Sequence, residues 1–201
     1  DPGVDWPDDS APGGQDDSKK ENAEAQRQKI INQTFYMFGE LMKQKSCAGI
    51  FNTTAGRPNV NPILAIYGMS VTRAYGYLQF GPLPVDKYGV GPGGLTQVSS
   101  FKANEYGVRI PQSVTITIQT IGRESIFEIG PGNAALALIH ELGHAYNLLP
   151  ELGGSLIVAD KIITDANGKV VEGHPDGQSE NFRTINQRCN FTDIAIPSEL
   201  Q

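Results

Sequence analysis

Apolar residues recur at helical spacing between residues 21 and 46. Ile31, Phe35, Phe38 and Met42 form one stripe, with Ile30, Met37 and Leu41 beside it and Gln, Lys and Glu opposite. The pattern predicts an amphipathic helix packed on a core. From 48 to 113 the chain is dense in Gly, Pro and Asn, with short apolar runs at 62–69 and 75–80, which predicts loops and short strands. Val114, Ile116 and Ile118 then alternate with Thr and Gln, the period of a half-buried strand. Residues 125–129 read as a second strand, broken by Gly130-Pro131-Gly132. Asn133 suits the N-cap of a helix over 134–148, which Pro150 stops. Beyond it, 156–164 and 169–172 flank Asp165-Ala166-Asn167-Gly168, a tight-turn sequence that predicts a hairpin. Ser179 is placed to cap a last short helix with Phe182, Ile185 and Cys189 on one face.

The helix over 134–148 carries His140-Glu141-Leu142-Gly143-His144. Residues four apart lie on one helical face, so both imidazoles can reach a single ion. Glu141 sits beside them and has the chemistry of a general base. Two of the chain's three histidines fall into this spacing, which favours a site over two unrelated helical histidines. The glycines over 89–94 lack the Lys-Ser/Thr pair of a phosphate-binding loop and read as a plain loop. No Ser-His-Asp or Cys-His arrangement competes, because only His174 remains outside the motif.

Charge changes the picture at one end. The formal net charge is −6, yet Asp1, Asp5, Asp8, Asp9, Asp16 and Asp17 crowd the first 18 residues without a Lys or Arg. With them set aside, acidic and basic residues balance. The chain therefore divides into an acidic, Pro/Gly-rich leader over 1–22, expected to be disordered, and one globular domain over 23–201. It offers no basic footprint for nucleic acid and no apolar run long enough to insert in a membrane. Cys47 and Cys189 are too far apart for a metal knuckle or a redox pair. They read either as two reduced thiols or as one disulfide closing a long loop.

On the His-Glu-x-x-His motif the chain resembles the zincin metallopeptidases, over about 114–148 plus a downstream ligand. The resemblance implies an α+β fold, with a small twisted sheet beside the active-site helix and an N-terminal helix packed behind. It also implies one zinc ion (Zn2+) held by His140 and His144, Glu141 as catalytic base, and a peptide or protein substrate laid along an edge strand, for which 114–121 is the candidate. The metzincin extension is excluded, because Asn147 and Pro150 stand where it requires other residues and no Met follows. The aspzincin branch implies a downstream Asp, which Asp176 supplies, and the gluzincin branch a Glu, which Glu180 supplies. The stretch from Pro175 through Asp176, Gly177, Ser179 and Asn181 to Cys189 also resembles uncharacterised His-Glu-Leu-Gly-His regions of bacterial secreted and RHS-repeat-type proteins. That likeness favours Asp176 as third ligand, ahead of Glu180 and His174 with Asp160 an outside choice, and pairing of Cys47 with Cys189.

The expected function is thus zinc-dependent peptide hydrolysis by a secreted or cell-surface protein. The alternatives are a non-catalytic domain with a structural zinc, closed by four protein ligands, or a toxin or effector peptidase module of a longer polypeptide.

Overall fold

The computed structural model describes residues 14–51, 76–161, 163–164, 170–172 and 177–201. Helix α1 (Gly14–Lys43) leads into the short α2 (Lys45–Ala48). Strands β1 (Gly76–Gly81), β2 (Gly94–Ala103) and β3 (Arg109–Gln119) follow, then the long helix α3 (Ile126–Leu148). Strands β4 (Ile163–Thr164) and β5 (Val170–Glu172) form a small antiparallel pair, and α4 (Gly177–Arg188) precedes the C-terminal segment. The architecture is α+β: a three-stranded mixed sheet and α1 both pack on α3.

The periodicities account for most of these elements. Met37, Phe38 and Leu41 of α1 are buried, with Ile30, Ile31, Phe35 and Met42 partly so. The helix starts earlier than its apolar stripe, at Gly14, through a Lys-, Glu-, Gln- and Ala-rich stretch of good helix formers whose side chains are exposed over 18–28. Residues 1–13 and the apolar run at 62–69 lie outside the described residues. The apolar run up to Phe80 becomes β1, while of the hairpin strand expected over 156–164 the described residues 156–161 are irregular and 163–164 pair with 170–172.

Three expectations are corrected. The strand expected over 125–129 is a helical turn: Ser125 caps it, accepting from the Phe127 N–H at 3.2 Å, and the chain kinks at Gly130 (φ 79°) before Pro131 restarts the helix. A short apolar run such as Ile126-Phe127-Glu128-Ile129 is ambiguous between strand and helix, and the cap decides it. Asn133 is accordingly no cap, and its Nδ2 donates to the Ile129 carbonyl. The strand expected at the sheet edge, 114–121, is central instead. β3 pairs in parallel with β1 and antiparallel with β2, so among the described residues β2 is the edge nearest the His-Glu motif. Alternation reports a buried face and not a position in the sheet order. Finally, α4 begins at Gly177, and Phe182 is 68% exposed while Ile185 and Cys189 are buried.

Cys47 and Cys189 form a disulfide. It ties α2 to the end of α4, and neighbouring bonds reinforce it: Ser46 Oγ donates to the Arg188 carbonyl at 2.7 Å, and the Gln44 amide brackets the Asn190 backbone. Among the described residues no helix is long and apolar enough to cross a membrane.

The bridged residues are 142 apart, so the lost loop entropy of the unfolded chain corresponds to about 4–5 kcal/mol. The double variant Cys47→Ser/Cys189→Ser is expected to lose most of that in urea unfolding. An unchanged midpoint would show that the bridge contributes nothing to stability.

Candidate metal centre

The centre begins with α3. Its apolar face, including Leu138, Ile139 and Leu142, is buried in the core, which turns His140 and His144 toward the opposite, partly open side. Their Nε2 atoms lie 3.0 Å apart.

Asp160 is brought to them by a segment pinned along the second half of α3. Gly143, inside the motif, has no side chain; a Cβ there would fall 2.2 Å from Ile157 Cγ1, so only glycine lets residues 155–157 lie this close. Ser155 Oγ donates to the Gly143 carbonyl at 2.8 Å, and Asn147 Oδ1 accepts from the Ser155 N–H at 2.6 Å. Asn147 Nδ2 also donates to the Ile157 carbonyl. Leu156 N–H donates to the Ile50 carbonyl at 2.8 Å on the other side. From α4, the Asn181 amide holds both backbone groups of Val158. Two residues on, Asp160 Oδ2 stands 3.2 Å from His140 Nε2 and 3.3 Å from His144 Nε2.

His140, His144 and Asp160 thus form a group able to hold one metal ion. Ligand atoms at the 2.0–2.2 Å typical of zinc define a tetrahedron with edges of about 3.3–3.6 Å. The observed triangle, with sides of 3.0, 3.2 and 3.3 Å, is a few tenths of an ångström tighter than one face of it. Two imidazoles and one carboxylate are also the donor set zinc accepts.

Glu141 belongs to the same cleft but is held differently. It is only 6% exposed. Thr96 Oγ1 on β2 is 2.7 Å from Glu141 Oε2, donating to it, and lies 2.9 Å from the Glu141 carbonyl. Gly94, at the start of β2, passes against the side chain, and a Cβ there would come within 2.5 Å of Glu141 Cγ. The edge strand therefore cradles this carboxylate against α3. A cleft of about 380 Å³ opens beside it, lined by His140, Glu141 and Asp160 together with apolar residues that include Ile129, Phe182 and Ile185.

The two carboxylates are tuned in opposite directions. Burial pushes Glu141 above the usual carboxylate range, against the pull of His140, the Thr96 hydrogen bond and His144. Burial acts the same way on Asp160, but its hydrogen bonds and charge interactions with His140 and His144 outweigh it and hold Asp160 well below that range. For His140, burial disfavours the imidazolium, while Asp160 and Glu141 more than compensate and raise its pKa.

Of the expected site residues, His140, His144 and Glu141 are assembled as described. Asp176 and His174 lie outside the described residues, and Glu180, in the first turn of α4, is not part of the three-residue group. Among the described residues it is Asp160, the outside choice of the sequence analysis, that lies beside the two histidines. Tyr146 packs on Phe51 with ring centroids 4.9 Å apart, and burial raises its pKa to about 12. No protein-family model, curated protein or solved structure matches this chain, so the centre is read from its own geometry.

The ion and the proton compete for His140. Without an ion, the raised His140 pKa contributes stability that is complete below the unfolded value of about 6.5 and is lost as pH rises through the folded one. Asp160 acts in the opposite sense, contributing above about pH 3.9 and losing its contribution as pH falls through its lowered value. Ion binding requires neutral imidazoles, so the rise in melting temperature produced by zinc should grow between pH 5.5 and 8. Thermal unfolding with zinc and with chelator checks this, and a pH-independent zinc effect would exclude His140 as a ligand.

Proposed function

We propose that this chain is a zinc-dependent peptidase with Glu141 as its general base. The observation that carries the reading is the juxtaposition, in one cleft, of a metal-sized His140-His144-Asp160 triangle with a separately cradled carboxylate. A purely structural ion has no use for that carboxylate. Zinc would supply Lewis acidity, lowering the pKa of a water toward 7 and polarising the scissile carbonyl.

The remaining work falls to the chain. His140, His144 and Asp160 would hold the ion in the cleft. Thr96 occupies Glu141 Oε2 and leaves Oε1 to receive a proton from the attacking water and return it to the leaving amine. Burial in the Gly94 cradle strengthens Glu141 as a base. The edge strand β2 begins at this carboxylate and suits an extended peptide added as a further strand. The apolar wall from Ile129 to Ile185 suits an apolar side chain of that peptide next to the scissile bond. The disulfide supports a secreted or cell-surface setting, where oxidising conditions preserve it.

Glu141→Gln is expected to retain zinc, measured by elemental analysis, and to keep its melting temperature near that of the parent. Its hydrolysis of an unbiased fluorogenic peptide library should fall by about 10²–10⁴-fold. Parental turnover in that variant would remove Glu141 from the mechanism. A chain that binds zinc tightly yet cleaves no peptide would favour the structural-zinc alternative.

A further inference from the structure

Asn181 is the most thoroughly used buried polar side chain near the centre. It is 0% exposed. Its Oδ1 accepts from the Val158 N–H at 2.8 Å, and its Nδ2 donates to the Val158 carbonyl at 2.7 Å and to Asp160 Oδ1 at 2.9 Å. The first two bonds imitate a neighbouring strand and hold the backbone at one residue. The third reaches two residues further, to the carboxylate itself. Asp160 Oδ1 is thereby engaged by Asn181 and also stands 3.2 Å from His140 Nε2, while Oδ2 is the oxygen that faces both imidazole nitrogens.

We propose that Asn181 is the positioning residue of the metal centre, holding Asp160 in the one orientation that completes the triangle with His140 and His144. This rests on the metal reading given above. An aspartate at the end of an irregular segment loses backbone and side-chain freedom when it binds an ion; Asn181 removes that loss beforehand, and its bond to a charged acceptor is of the stronger, charge-assisted kind. Partners that orient ligating carboxylates characteristically act through metal affinity. α4 is seated to serve this role. Gly177 at its start passes so close to Ala159 that a Cβ would overlap the Ala159 carbonyl oxygen at 2.0 Å, and the Cys189 disulfide anchors its other end. Asn181 thus makes the ion site depend on the docking of α4.

The test is zinc affinity, measured by competition with a chromophoric chelator below each protein's unfolding transition. Wild type, Asn181→Ala, Asp160→Ala and the double variant are compared. Asn181→Ala is expected to weaken zinc binding about 10–100-fold, and to cost no more than about twofold when Asp160 is already alanine. The same loss in both backgrounds, or no loss at all, would overturn the proposal and leave Asn181 a purely structural residue. Wild type that binds no zinc would instead overturn the metal reading on which it stands. Should Asn181→Ala not fold, the wild-type protein serves: zinc should shift the Asn181 side-chain amide resonances, and resonances unmoved by saturating zinc would also refute the role.

Discussion

Residues 155–160 have to lie against the second half of α3 before the His140-His144-Asp160 group can form, because nothing else in the described structure brings Asp160 within reach of the two histidines. The segment is not part of a sheet ladder that would carry it there. Its polar backbone groups are met individually, by Ser155 and Asn147 along α3, by Ile50 on one side and by Asn181 on the other. Buried backbone groups left unpaired are expensive, so these bonds select one path for the segment. Gly143 permits that path, since any side chain there would occupy the space of Ile157. The glycine within the His-Glu motif is therefore a packing requirement for the placement of Asp160, sixteen residues beyond His144.

The same cleft holds two carboxylates with contrary properties. Asp160 lies between two imidazoles and keeps its charge far into acid; Glu141 is walled in by β2 and α3 and holds a proton more readily than a free carboxylate. Opposed environments of this kind can divide the labour between similar side chains, as the proposed roles of ligand and base require. The division depends on the sheet as much as on the helix, because Thr96 and Gly94 belong to the edge strand.

Much of the scaffold is legible from short-range pattern. The stripe through Met37, Phe38 and Leu41 and the alternation of Val114, Ile116 and Ile118 each identify buried faces that the structure contains. The misreadings share one cause. Ser125–Ile129 carries two incompatible local signals, and the alternation of β3 is silent about which strands flank it. The pattern that suggested Phe182 as a core residue fails similarly, since helical spacing places it near Ile185 without saying that the cleft opens there.

The sequence by itself determined the helical half of the candidate centre. His140, Glu141 and His144 are neighbours on one helix, and helical geometry alone brings the imidazoles to one face. Tertiary structure alone placed Asp160 beside the imidazoles, built the cradle around Glu141 and brought the two cysteines into bonding range. Those choices join Asp160 to His144, Thr96 to Glu141, Asn181 to Asp160 and Cys47 to Cys189. Each is a contact between separate elements, governed by which surfaces pack together, and no spacing along the chain encodes it. Asp160, Asp176, His174 and Glu180 are chemically eligible alike; among those described, only Asp160 is held by its surroundings beside the two imidazoles.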